Sequence, residues 1–316
     1  TDADSNVAIG VSALGADTLG SQNVAVGHGA LQNQNFTTAT NVYNVAVGRD
    51  AGNDITTGTH NTLIGGLVGD ALTSGNNNTA LGFGALSTDT LGDRAVALGY
   101  GALLNQNFTT TTDNYNVAVG FNAGNDITTG VNNTIVGGLA GDALTDADNN
   151  VAMGYVALSA DTQGSTAVAI GNSALNSQNF TTATSHYNVA VGSNAGASIT
   201  TGVNNTFVGG LAGDALTDAD FNVAVGVAAL TSDTLGSKSV AVGMNALTAQ
   251  NMTTATDAFN VAAGHAAGAA ITTGVQNVFI GGLSGDSTTD ADGNVGVGHR
   301  TLDANTLGSF STALGG

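Results

Sequence analysis

The stretch Asn6-Val7-Ala8-Ile9-Gly10 decides the fold, because the chain keeps returning to it. It recurs as Asn23-Val24-Ala25-Val26-Gly27, Asn44-Val45-Ala46-Val47-Gly48 and Asn61-Thr62-Leu63-Ile64-Gly65, and begins again at Asn78. The steps are 17, 21, 17 and 17 residues, which together make a 72-residue block. The block repeats without a slip as 1–72, 73–144, 145–216 and 217–288, and a partial block, 289–316, follows. The motif occurs 18 times, and its fifth position is glycine every time, among them Gly10, Gly27, Gly48, Gly65, Gly154 and Gly171. A glycine kept through every copy of an internal repeat marks a backbone with φ > 0, or a place too tight for a Cβ. These glycines are therefore read as structural turn residues.

Each unit reads as a strand, a corner, a second apolar stretch and a second corner. A second glycine follows the first by ten residues in many copies: Gly20, Gly58, Gly92, Gly130, Gly164, Gly202, Gly236 and Gly274. Seventeen residues suit one flattened coil of two short strands and two turns. Coils stacked in register repeat at about 4.8 Å, so the repeats predict a rod of roughly 85 Å. A helix is the competing reading of any apolar repeat. Turn glycines twice per unit cost about 1 kcal/mol each inside a helix, and the β-branched Val and Ile add to the penalty. The expected fold is all-β: a parallel β-solenoid (β-roll) of about 18 coils, a single uninterrupted domain and a piece of a longer protein.

Composition agrees. Glycine supplies 47 residues and proline none, and every acidic residue is Asp. Exposed helices are normally surfaced with Glu, Lys, Arg and Gln, which lose little rotamer freedom there. Lys and Arg number only four: Arg49, Arg94, Lys238 and Arg300. The net charge of −19 argues against a nucleic-acid partner and against docking on anionic lipid. With no cysteine there is no disulfide framework and no thiolate metal site. No apolar run approaches the roughly 18 residues of a membrane-spanning helix, so no membrane insertion is expected within this segment.

In Val24-Ala25-Val26 the valines point one way and the alanine the other, because side chains alternate along a strand. Neither face is polar, so both are expected to be covered. The expectation from size is that the small alanines admit a neighbouring sheet. The fourth unit of each block is bulkier at that place, with Leu63, Ile135, Phe207 and Phe279. Identical chains packed side by side about a long axis would supply the cover, with a trimer as the simplest closed arrangement.

The motif Asn-Val-Ala-Val-Gly-x-x-Ala-Leu, and above all Ala167-Val168-Ala169-Ile170-Gly171-Asn172-Ser173-Ala174, resembles the repeats of trimeric autotransporter adhesin heads of the YadA type. The resemblance covers nearly the whole chain. It implies a left-handed parallel β-roll, trimeric, with its apolar strands toward the trimer axis. Similar repeats occur in phage tail fibres. The units here are longer than that family's, and neither a coiled-coil stalk nor a membrane anchor is present in the sequence.

Three sets of residues are candidate sites. The second unit of each block carries four extra residues, as in Asn35-Phe36-Thr37, Asn107-Phe108-Thr109, Asn179-Phe180-Thr181 and Asn251-Met252-Thr253. These loops would recur about every 19 Å along the stack, a multivalent surface for a host glycan or matrix protein. The favoured reading is plainer: a tolerated loop whose Phe or Met tucks onto the roll. An aromatic residue just before the third unit recurs as Tyr43, Tyr115, Tyr187 and Phe259, and suits either sugar stacking or, as favoured, a structural plug. Acidic turns recur at Asp2/Asp4, Asp146/Asp148, Asp218/Asp220 and Asp290/Asp292, with Asp142 and Asp214 just upstream of two pairs. Oxygen-rich turns can hold Ca²⁺, but Asp is also an ordinary turn residue. No cofactor is expected beyond such a structural Ca²⁺. The histidines, His28, His60, His186, His265 and His299, share no ligand spacing and are assigned surface or packing roles.

No unlike pair of carboxylates, nucleophile triad, phosphate loop or zinc motif interrupts the repeat, so the chain is not read as an enzyme. The expected function is an extracellular structural and adhesive fibre segment at a cell or virion surface. The alternatives are a phage or virus tail-fibre shaft and a self-assembling filament or sheath.

Overall fold

The computed structural model describes residues 3–315. The chain divides into two compact units, Thr1–Ala152 and Met153–Gly316. Among the described residues there is no helix, and 18 three-residue strands, one per coil, carry the motif. Within each unit the strands pair in parallel with those of the next coil and in register. In the first unit Val24, Ala25 and Val26 lie on Val45, Ala46 and Val47, which lie on Thr62, Leu63 and Ile64. In the second, Val189, Ala190 and Val191 lie on Thr206, Phe207 and Val208. The all-β parallel solenoid expected from the repeat is the fold.

The invariant glycine is required twice over. Gly48 has φ +143°, and a Cβ there would collide with the carbonyl of Gly65 in the next coil. The second glycine is kept by close contact alone, in coils such as that of Gly58 with a carbonyl of the next coil, here that of Gly75. At Gly92 a Cβ would strike the buried carboxylate of Asp89 rather than meet a φ restriction. The second side of the coil is also less regular than expected. Among the described residues it forms strands only between the first and second coils of a block, as where Gly20–Ser21 pairs with Thr40–Asn41 and Gly164–Ser165 with Thr184–Ser185.

The strand faces are the reverse of the expectation. The central alanines (Ala25, Ala46, Ala97, Ala118, Ala169, Ala190) point into the coil and are fully buried, while the flanking valines lie outside, partly exposed. The coil is thin, and its interior already holds an Asn and one or two Leu or Ile per turn, so only a methyl fits opposite them. Where the strand centre is large, room is made elsewhere. Leu31, eight residues after Asn23, is matched by Gly52 in the third coil and Gly69 in the fourth, and both glycines lie against Leu63, a Cβ on Gly52 falling 2.8 Å from it. A Cβ on Gly69 would lie 3.0 Å from both Leu63 and Leu72. Phe207 and Gly213, and Phe279 and Gly285, repeat that exchange of volume in the second unit, as close packing of a core requires.

The motif Asn holds the coils in register. Asn61 is fully buried; its Nδ2 donates to the Gly75 carbonyl across its own coil (2.8 Å), and its Oδ1 accepts the N–H of Asn78 in the next (2.9 Å). The same pair of bonds is made by Asn44, Asn78, Asn133, Asn188 and Asn205. Each Asn thus satisfies two buried backbone groups that the corners leave open.

Four second coils lack this Asn: Ser239 and Ser311 take its place in two, and Ala95 and Ala167 in the other two. There the orphaned N–H finds another acceptor. The Asn116 N–H donates to Asn114 Oδ1 (2.9 Å), and the Asn188 N–H donates to His186 Nδ1 (3.2 Å). In block one, where Asn23 is present and accepts from Asn44 (3.2 Å), the corresponding residue is the apolar Val42. Burial pushes the His186 imidazole down to about pKa 4, so the ring is neutral at pH 7. The packing role assigned to this histidine is the observed one, with Phe180 stacked on it at 4.9 Å.

Candidate functional site: an acid-free strand face

The four-residue insertion is anchored from within. In the first coil of each full block the interior position taken elsewhere by Ile55 or Leu72 is an Asp. Asp89 accepts from the N–H of Gly92 (3.0 Å), the N–H of Phe108 (3.2 Å) and Gln106 Nε2 (2.6 Å). Asp161 makes the same three bonds with Gly164, Phe180 and Gln178. Burial raises both carboxyls above the usual range. Phe36, Phe108, Phe180 and Met252 are buried, so these side chains tuck onto the roll. Asn35 and Asn179 are exposed and Asn107 half-buried. Their Oδ1 atoms accept from Thr18, Thr162 and Thr90 of the preceding coil, at 3.0 to 3.1 Å.

The recurrent aromatics are not plugs. Tyr43, Tyr115, Tyr187 and Phe259 stand about half exposed, because the residue before the motif is in the left-handed region (φ 50° to 57°) and is thrown outward. Arg94 lies over the Tyr115 ring and Lys238 over the Phe259 ring, 5.7 and 5.3 Å from the centroids.

The acidic turns bond to Thr hydroxyls and backbone N–H groups of neighbouring coils. Asp146 accepts from Thr128 and Thr129 (2.7 and 2.8 Å), and Asp148 from the Val131 N–H (2.8 Å). Asp218 accepts from Thr201 (2.6 Å), Asp220 from the Val203 N–H (2.7 Å), and Asp214 from Thr231. Asp4 donates its N–H to Ser21 Oγ (3.0 Å), while its partner Asp2 lies outside the described residues. Asp142 keeps a buried Oδ1 without a hydrogen-bond partner. Its carboxyl is pushed up by burial and by the like charge of Asp126. Among the described residues no three such side chains are grouped to hold a metal ion.

There is also no pocket among the described residues, so what the chain offers a partner is a face. The outward side of the strands is that face. Its core is the pair of residues flanking each central alanine: Val45 and Val47, Val96 and Leu98, Val117 and Val119 in the first unit, Val168 and Ile170, Val189 and Val191, Val223 and Val225 in the second. It is bordered by the left-handed aromatic row and by the residue after each motif glycine, which includes the exposed Phe83, Tyr100, Phe121, Tyr155, Val227 and Met244.

Charge is segregated from it. None of the 23 acids falls between the residue before a motif and the residue after its glycine, in any of the 18 copies. Three of the four Lys and Arg (Arg49, Arg94, Lys238) and four of the five His (His28, His60, His265, His299) do. Within each unit, a contiguous apolar face of this kind marks an interaction surface. In a chain of net charge −19 it is the side on which two copies can meet without bringing carboxylates together. The segregation was countable in the sequence once residues were tallied by their position in the unit. Its meaning needed the structure, which shows that the residue before the motif, the two residues flanking the central one and the residue after the glycine face outward.

No family model matches the chain, and no curated protein and no solved structure matches it.

Proposed function

We propose that the chain is an extracellular structural and adhesive fibre segment, in which three parallel copies of a left-handed roll cover one another's strand faces about a common axis. The carrying observation is the acid-free apolar face repeated coil after coil. With this face inward, the acidic corners and the inserted loops point away from the axis. The loops then form an ordered outer array whose exposed Asn and Thr side chains present hydrogen-bonding groups to a host-surface glycan or matrix protein. Repetition gives such an array avidity even where each contact is weak. The arrangement is the one implied by the resemblance to trimeric autotransporter adhesin heads. It asks no chemistry of the chain, and the buried Asp89 and Asp161 serve as anchors for the loops.

Sedimentation equilibrium tests it. The expected mass is three times the 30.7 kDa of one chain. Val117→Asp/Val119→Asp, which places two carboxylates on the face, should reduce the mass to that of a single chain with the β signal in circular dichroism unchanged. A native chain that sediments as a stable monomer defeats the proposal.

A further inference from the structure

A face that repeats every 72 residues has a defect as an interface. Two copies displaced by one block would make nearly the same contacts, just as strands without distinguishing side chains slip in register. The pairs Val24/Val26, Val96/Leu98, Val168/Ile170 and Val240/Val242 are almost interchangeable. Something unrepeated has to mark the correct alignment.

The first unit carries such a mark. In block two the residues after the motif glycines of the first three coils are Phe83, Tyr100 and Phe121. Their rings stack, with centroids 5.6 and 5.5 Å apart and planes tilted by only 15° and 16°. All three are more than half exposed, and Leu81 beside them is 51% exposed. Gly66, one coil earlier, leaves room for the end of the stack; a Cβ there would lie 3.4 Å from Phe83. The same positions hold Val11, His28 and Arg49 in block one, Tyr155, Asn172 and Ser193 in block three, and Val227, Met244 and His265 in block four.

We infer that the Phe83–Tyr100–Phe121 stack is a register key between copies of this chain. The inference rests on the self-association proposed above. Each ring turns a face to its neighbour, so the stack offers its edges outward. A sugar needs an open ring face, whereas the apolar edges of an identical stack can pack against these edges and be buried with them. In register, the stacks of parallel copies meet one another. Displaced by one block, a stack meets His28 and Arg49, or Asn172 and Ser193, and a partner made of any other sequence would lack the matching coil spacing. This is the device by which one atypical position fixes the register of a coiled coil, built here from three.

The absence of cysteine makes a crosslinking test clean. Thr79→Cys and Val151→Cys sit on the face one block apart, both in the first unit. Oxidised in-register copies give 79–79 and 151–151 disulfides, and a one-block slip gives 79–151; peptide mass spectrometry separates them. With the key intact the mixed product should be below about a tenth of the like pairs, a ratio that needs only one tenfold step in equilibrium constant. Giving block two the residues of block one, by F83V/Y100H/F121R, should raise the mixed product about tenfold, and giving block one a second key, by V11F/H28Y/R49F, should raise it as well. All the replacements are exposed residues already present or tolerated at equivalent positions, so folding is spared. A three-chain mass with an unchanged disulfide pattern in both variants overturns the key alone. Abundant mixed product in the chain with the native key also overturns it. A single-chain mass overturns the self-association and the key with it.

Discussion

Asn114→Val should open the second coil of block two, and the structure says by how much and how to repair it. Ala95 leaves the buried N–H of Asn116 without the usual Asn acceptor, and Asn114 Oδ1 takes it at 2.9 Å. Valine removes that oxygen. The Asp93 carbonyl also loses a donor, Asn114 Nδ2, but keeps the Asn114 N–H at 3.1 Å. One buried amide is therefore orphaned, which costs about 2 kcal/mol. A solenoid of near-identical coils opens locally, so one global unfolding energy is the wrong readout. Deuterium exchange of the peptide containing Asn116 reads the local cost instead, and about 2 kcal/mol corresponds to roughly 30-fold faster exchange. The double change Ala95→Asn/Asn114→Val recreates the pairing of Asn23 with Val42, in which Asn23 Oδ1 accepts from Asn44 at 3.2 Å. It should restore most of the protection. Unchanged exchange in the single variant, or no recovery in the double, would refute the ladder reasoning.

Gly48→Ala should destabilise its coil by about 3 kcal/mol, because φ +143° is a conformation left to glycine and the Gly65 carbonyl blocks a Cβ; Gly66→Ala, with nothing nearer than 3.4 Å, should stay within about 0.5 kcal/mol by thermal melting. Phe207→Ala should cost about 4 kcal/mol through the cavity it leaves, and adding Gly213→Leu, the arrangement of Ala224 with Leu230, should recover part of it in the same assay. His186 is held neutral in the folded chain down to about pH 4, while the unfolded ring takes a proton near 6.5. Its folded pKa is depressed, so the unfolded state binds more protons as the pH falls from 6.5 toward 4. Stability should drop by about 3 kcal/mol across that window. His186→Asn, the block-two solution, should flatten that dependence in melts taken from pH 7 to 4. The neighbouring Asp161, raised by burial, gives a slope of opposite sign that both proteins share.

The repeat made the fold legible, because a strand motif with an invariant glycine at a fixed step leaves few architectures open. Period and glycine together located the motif strand of each coil, but not the irregular second side, where short strands such as Thr40–Asn41 carry no glycine. Orientation was not legible. Val-Ala-Val is apolar on both sides, and only the volume already occupied by Leu31, Ile55, Leu72 and the buried Asn residues shows that the alanine must be the inner one. The compensation of Phe207 by Gly213 was hidden for the same reason: it links residues whose meeting depends on the shape of the coil. The inserted loops read correctly as tucked, since a lone Phe among Thr and Asn has only the roll to bury itself on. Tyr43 and its counterparts read wrongly because their left-handed backbone, which aims them outward, leaves no trace in residue type.

Hydroxyl-radical footprinting of the assembled protein tests the central claim most directly, that the outward valines are covered by sister chains. The account predicts that Val45, Val47, Val117, Val119, Val189 and Val191 react far more slowly in the native assembly than in the Val117→Asp/Val119→Asp single chain, while Leu211 and Leu307, exposed off the face, react equally in both. Valines that label in the native assembly as fast as in the single chain would mean that the face is bare, and the fibre built on it would fall.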